Sequence, residues 1–459
     1  MKKPSIGLLP LYIKLYDDLD SSWRKPLDEW VNNIAAELEL LGITVKRSDI
    51  CRISPEFKTA VKEFEKADVD AIVTVHLAYS PSLESIDAVA ATGLPLIVMS
   101  TTPDFEYDSP AKLMNNHGIH GVQDFCNLLL RRGKKFILEA GHWKESDLLK
   151  RVAATTRGAC IASSFRKARV GLCGRPFEGM GDFSVPADKL QNDTGAATVS
   201  IDMRKLAELL PASDSPEVLS EINKDRERFR IDKLEDKTHI DSIRTGLAIR
   251  KLIDKEKLSA VTICFLEITK ASGIPVMPFL ELSKAMERGI GYGGEGDVLT
   301  AALTGALLTV FPESTFTEIF CPDWKNNTLF LSHMGEMNIA LASEKPLLTE
   351  MQWRFSDAGG ATAVAYACLK PGKAIFVNLA PTAAGYNLIL CPVDMLPEKN
   401  SNEWERTIRG WFKSHLPINE FLTAYSNAGG THHSALVYGD NLDALKSFGS
   451  IMCFNTIII

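Results

Sequence analysis

The first third of the chain alternates apolar runs of strand length with amphipathic helical stretches: "SIGLLPL", "LDEWVNNIAAELELLG", "ITVKRSDI", "PEFKTAVKEFEKA", "DAIVTVHLAY", "SLESIDAVAATG" and "LPLIVMST". Strands that feed helices that feed strands predict a parallel sheet covered on both faces. The expectation is a doubly wound α/β domain. No G-x-G-x-x-G follows the first strand, so a dinucleotide site has no support.

A new strand, "RVGLCGRPF", follows the helical "SDLLKRVAATTRGACIASSFRKA" and places a boundary near residue 165. A second doubly wound α/β unit then runs through a long charged stretch, "SPEVLSEINKDRERFRIDKLEDKTHIDSIRTGLAIRKLI", expected as one solvated or subunit-contacting helix. From Thr315 the texture changes to "TLFLSHMGEM", "KPLLTEMQWRF", "GKAIFVNLA" and "YNLILCPVDM", joined by Gly, Pro and Asn turns. The third domain is therefore expected to be mostly antiparallel β. The predicted domains are 1–165, 166–314 and 315–459.

Composition narrows the function classes. The chain has 459 residues, is 45% hydrophobic and 24% charged, and carries a net charge of -7 without a dense Lys/Arg block. Nucleic-acid binding is not expected from that balance. The nine cysteines are odd in number and form no C-x-x-C pair, which argues against a disulfide framework or a structural zinc site and for a reducing compartment. No run reaches the roughly 18 apolar residues of a membrane span. A cytoplasmic protein acting on small polar ligands, with no nucleic acid and no membrane, is the expectation.

Three stretches place ionisable groups among glycines, where backbone can approach a ligand closely. They are "GYGGEGDVLTAAL" with Glu295 and Asp297, "SHMGEM" with His333 and Glu336, and "GGTHHS" with His432 and His433. Asp297 precedes a strongly helical run and fits an N-cap. Glu295 stands ahead of that cap between two glycines and serves no helix. His333 reads more readily as a hydrogen-bonded core or edge histidine than as a ligand. Adjacent side chains on an extended segment point to opposite faces, so one histidine of the pair is expected in the site and the other in support. Two glutamates and an imidazole on such turns suit Mn²⁺, Co²⁺ or Mg²⁺ holding substrate oxygens. That chemistry serves aldose–ketose isomerisation through an ene-diolate.

These motifs, with "EKPLL" between them and "NNHGIHGVQDF" and "EAGHW" near the N-terminus, resemble in order and spacing those of L-arabinose isomerases, within the L-fucose/L-arabinose isomerase superfamily. The resemblance implies three domains and a homotrimer or homohexamer acting on a monosaccharide. It also implies that Glu295 and Glu336 are metal ligands and the acid/base pair, that His433 is a ligand supported by His432, and that His120 reaches a neighbouring subunit's site. Mn²⁺, or Co²⁺ or Mg²⁺ in its place, is the metal expected from the donor set.

Two departures stand out. The family's further ligand histidine after a glutamine is matched here by Trp353, after Gln352, and its early sugar-holding stretch aligns loosely with "YIKLY", keeping Tyr16 but placing Ile13 where the family has glutamine. Gln352 and Trp353 are expected at the substrate. Trp353 offers a flat apolar wall to a sugar's C–H face or a deoxy methyl group, so the preferred sugar is expected not to be L-arabinose. The alternatives are a sugar-binding protein that no longer catalyses, and a lyase or epimerase sharing the ene-diolate.

Overall fold

The computed structural model describes residues 2–355, 357, 360–398 and 403–459. The chain divides into two compact units: 2–163 with 443–451, and 164–442 with 452–459.

The first unit is built on a five-stranded parallel sheet. Its strand order is Thr44–Arg47, Ser5–Leu11, Ala71–His76, Leu96–Ser100 and Ile137–Ala140. Alternate strand residues enter two separate apolar clusters. Leu8, Val73 and Ile97 pack with Trp30 and Ile34 of the helix Arg24–Leu40 and with Val152, whereas Leu9, Ile72 and Val98 pack with Phe57 and Phe64 of the helix Ser54–Lys66 and with Phe125. A strand buried on both sides needs apolar residues at every position, which is why these strands read as unbroken hydrophobic runs.

Among the described residues, the second unit holds three sheets. A four-stranded parallel sheet runs Gly291–Gly294, Ala260–Ile263, Arg169–Cys173, Ala197–Ile201. An antiparallel ladder passes from Gly372–Thr382 through His433–Tyr438, Ser314–Asp323, Thr328–Ser332 and Gly410–Ser414 to Gly385–Met395, which pairs back with Gly372–Thr382 and closes a barrel. Closure removes the exposed edges that an open sheet of apolar strands would present. The strand Leu347–Trp353 lies outside the barrel, between Gly360–Tyr366 and the short Arg230–Ile231. The chain is thus mixed α/β, with parallel sheets followed by an antiparallel barrel.

The long charged stretch departs from expectation. It forms two helices, Pro216–Arg228 and Asp236–Glu256, interrupted at the buried Phe229. Part of their charge is turned inward: Asp225, 1% exposed, accepts from Lys284 and pairs with His239 at 3.0 Å, and Arg250 bridges the buried Glu221 and Glu281 at 2.8 Å. Charge density signals solvent only when counter-charges are absent, and here the helix Phe279–Glu287 supplies Lys284 and Glu281.

Candidate metal and active site

Glu295 sits on the turn between the strand Gly291–Gly294 and the helix Val298–Val310. Its φ is +59°, a left-handed backbone that costs a non-glycine residue roughly 1–2 kcal/mol. Three bonds hold the turn: Asp297 N donates to Gly294 O at 2.8 Å, Gly296 N to Thr262 Oγ1 at 3.0 Å, and Phe177 N to Glu295 O at 2.8 Å. Asp297 caps the helix as expected, accepting from Thr300 N at 2.8 Å. Its other oxygen does more: Oδ2 lies 3.0 Å from His433 Nδ1, both side chains fully buried.

The same motif recurs twice. Asp182 Oδ2 meets His432 Nδ1 at 2.7 Å and the His432 backbone N–H at 2.9 Å, and Glu336 Oε2 meets His333 Nδ1 at 2.5 Å. A carboxylate on Nδ1 fixes the ring and leaves Nε2 for a ligand, as is usual for histidines that bind metal. Three carboxylate–imidazole pairs therefore converge here. A Cβ added at Gly294 would lie 2.9 Å from His433 Nε2 and 3.0 Å from His333 Nε2, so a glycine is needed beside both free nitrogens.

Two groups of donor atoms lie within 4.8 Å of one another: Glu295, His432 and His433; and Glu318, His333 and His433. The buried Glu295 Oε2 and His433 Nε2 have no hydrogen-bond partner. These orphaned atoms, one carboxylate oxygen and one imidazole nitrogen within groups that hold two carboxylates and three imidazoles, fit a divalent cation.

The structure thus distributes the sequence-predicted residues unevenly. Glu295 and His433 fall in the donor groups. His432 joins them, its ring centre 4.0 Å from that of His433. The strict alternation expected for the pair does not apply, because the strand begins only at His433 and His432 occupies a bend. Glu336 belongs to neither group: Tyr292 Oη donates to its Oε1 at 2.5 Å and Gly335 N to its Oε2 at 3.0 Å, so both oxygens are engaged. Trp353 is buried and lines a cavity with Glu295, His333 and Glu336, whereas Gln352 is exposed on the other face of its strand, beside Glu350 at 3.4 Å. Tyr16 and His120 belong to the first unit, where Tyr16 Oη lies 3.2 Å from His117 Nε2 and the His117 and His120 ring centres are 5.7 Å apart.

Sequence reasoning did not single out Glu318 or Asp182, nor the contacts of Asp297 with His433 and of Glu336 with His333. No local sequence signal marks Glu318; strand register places it, opposite His433 on one side and Ser332, next to His333, on the other.

Electrostatics follow from the pairs. Burial opposes charge on His432, but Asp182 and Glu295 outweigh it and raise its pKa to about 10, while Asp182 falls to about 2 despite its own burial. Burial likewise opposes ionisation of Glu295, yet His432 and His433 lower its pKa. Against burial again, Glu336 raises that of His333. Glu295 is therefore an ionised carboxylate, with His432 Nε2 3.8 Å from its Oε2.

Comparison with known proteins matches residues 189–311 to the L-arabinose isomerase central domain and 313–455 to the L-arabinose isomerase C-terminal domain, together more than half of the chain. L-arabinose isomerase of Thermotoga sp. (strain RQ2) is 24% identical over 423 residues, covering 86% of this chain and 82% of the relative. The enzyme of that name from Erwinia tasmaniensis is 23% identical, covering 83% and 79%, and that of Saccharophagus degradans is 21% identical, covering 93% and 86%. This chain is an L-arabinose isomerase-like protein, of a family of intramolecular oxidoreductases that interconvert aldoses and ketoses.

Proposed function

We propose that this protein is a divalent-metal-dependent aldose–ketose isomerase acting on a sugar other than L-arabinose. The observation that carries the proposal is the trio His333, His432 and His433, each held at Nδ1 by a carboxylate and grouped with Glu295 and Glu318. The two donor groups, Glu295 with His432 and His433, and Glu318 with His333 and His433, would hold the cation about their shared His433. A bound Mn²⁺, Co²⁺ or Mg²⁺ would polarise the adjacent oxygens of a hydroxy-carbonyl substrate and acidify the C–H between them.

Glu295, kept ionised by its histidines, would accept the C2 proton on its carboxylate and return it to C1 while the C2 hydroxyl proton passes to the C1 oxygen, so that the ene-diolate collapses to the ketose. Glu318 is the second carboxylate of the site. Glu336, with both oxygens engaged, acts through His333 rather than on the substrate. The departures at Ile13 and Trp353 support a changed sugar. The assembly proposed is a homotrimer or homohexamer; a monomer in light scattering would count against it.

The test is ketose formation from a panel of aldopentoses and 6-deoxyaldohexoses with each of the three metals. Activity on one sugar, abolished by chelator and poor on L-arabinose, is expected. Comparable turnover of L-arabinose would sink the substrate claim, and activity untouched by chelator would sink the metal claim.

A further inference from the structure

The consecutive residues His432 and His433 share one site, their ring centres 4.0 Å apart, although neighbouring side chains on an extended strand point to opposite faces. The chain bends at His432 and becomes strand only at His433. Thr431 and His433 are buried, so their backbone groups need partners that a regular ladder would otherwise supply.

On one side the strand His433–Tyr438 is paired through to its first residue, with His433 opposite Glu318. On the other side, toward Gly372–Thr382, the ladder stops at Val377 opposite Ala435, one step short of Asn378 and Ser434. The Asn378 side chain, 1% exposed, takes over at that point. Its Nδ2 donates to Thr431 Oγ1 at 2.6 Å and to His433 O at 2.7 Å, with Ser434 Oγ at 3.1 Å and Thr431 O at 3.5 Å around the same nitrogen. Its Oδ1 accepts from Thr431 N at 3.2 Å. The Thr431 hydroxyl closes a ring by donating to His433 O at 3.0 Å, and Tyr425 Oη donates to Thr431 O at 2.6 Å from the far side. A carboxamide carries donor and acceptor as a peptide group does, so Asn378 serves as a short piece of neighbouring strand that a bent chain can reach. Without it, the most direct way for the Thr431 N–H and the His433 carbonyl to regain partners is a longer ladder, and a longer ladder restores the alternation that turns His432 away from His433.

We propose that Asn378 is a positioning residue of the donor groups: its amide replaces a missing backbone pair, holds the bend at His432 and so delivers two consecutive imidazoles to one site. Its hydrogen bonds go to the backbone and to the Thr431 and Ser434 hydroxyls, and it acts on the imidazoles through the chain that carries them. The consequence for a cation rests on the metal site proposed above; the bend itself does not.

The experiment compares Asn378→Ala and Thr431→Val with Val377→Ala, a buried position on the opposite face of the same strand. Crystal structures are taken of the metal-free proteins, and Co²⁺ titrations are followed through the visible d–d bands. In Asn378→Ala the ladder is expected to lengthen and His432 to swing away from His433. Co²⁺ affinity should then fall about 10- to 100-fold, and the bands should shift as an imidazole leaves the ion. Thr431→Val keeps the amide but removes the hydroxyl between it and His433 O, and should move the same quantities less. Val377→Ala is expected to lower the melting temperature and leave the bands unchanged. An unchanged bend in Asn378→Ala and Thr431→Val, or in Thr431→Val alone where Asn378→Ala does not fold, overturns the proposal. So does a band shift in Val377→Ala as large as that in Asn378→Ala, which would reduce Asn378 to ordinary packing. Loss of the bend in a variant whose parent binds no Co²⁺ upholds the positioning role and overturns the metal proposal instead.

Discussion

Each imidazole of the site is only as useful as the carboxylate behind it. In the proposed site Glu318 holds the cation and Glu336 holds a histidine. Glu318→Gln removes a donor and is expected to abolish tight Mn²⁺ binding, whereas Glu336→Gln leaves the donors in place and weakens binding by about 10- to 100-fold through a loosened His333. Equilibrium dialysis of both variants separates the roles; equal effects would dissolve the distinction. The Asp182–His432 pair makes a second prediction, for the metal-free protein. His432 has a folded pKa near 10 against an ordinary 6.5, so its contribution to stability is full below pH 6.5 and is lost as pH rises through about 10. Asp182 works in the opposite sense: its contribution is present above pH 3.8 and is lost as pH falls through about 2. The melting temperature of Asp182→Asn should therefore lie below that of the parent at pH 6 and approach it by pH 10.5. A gap independent of pH would show that Asp182 stabilises by packing alone.

At the scale of the element, the helix Val298–Val310 and the turn before it carry structure and site on one residue. Asp297 caps the helix with one oxygen and orients His433 with the other. Asparagine is as good a cap as aspartate, and alanine is not. Asp297→Asn is thus expected to keep thermal stability while weakening Mn²⁺ binding about 10- to 100-fold. Asp297→Ala should lose both, with the lost cap alone costing about 1 kcal/mol. Denaturant titration alongside metal binding checks the pair, and a large stability loss in Asp297→Asn would refute the division of labour. The barrel strands contribute differently. Glu318 lies opposite His433 in an antiparallel ladder, so a slip of one residue would turn its carboxylate to the other face of the sheet.

For the whole molecule, metal binding and folding are linked. If the cation binds only the native donor groups, Mn²⁺ at about a hundredfold over its dissociation constant adds roughly 2.7 kcal/mol. Calorimetric melting with and without chelator should show that stabilisation in the parent and lose it in Glu318→Gln; identical melts of the parent would mean no native metal site. The division into units makes another prediction. The segment 443–451 belongs with 2–163, and Gly158 sits against it so closely that an added Cβ would lie 2.5 Å from Ala444 O. Residues 2–163 expressed alone should therefore melt at a lower temperature than the same segment with the 443–451 helix fused to it. Equal melting temperatures would show that the helix adds nothing to that unit.

The parallel sheet of the first unit, the antiparallel character of the last strands, the Asp297 cap and the candidacy of Glu295 and His433 were legible in the sequence. All but His433 rest on local information: unbroken apolar runs, turn residues, and a carboxylate between glycines that no helix requires; the choice of His433 within its pair came from the family resemblance. The split of the long charged stretch was less legible, because the break at Phe229 follows from burial against partners far along the chain. Glu318 lay hidden inside an ordinary strand, "STFTEIF", with no glycine to flag it. Asp182 stood 250 residues from His432. What the sequence determined by itself was which segments are strands, helices and turns, since these depend on neighbours a few residues apart. Which carboxylate stands behind which imidazole, and which glutamate joins the donor groups, was decided by strand register and loop closure, which only the tertiary structure brings about.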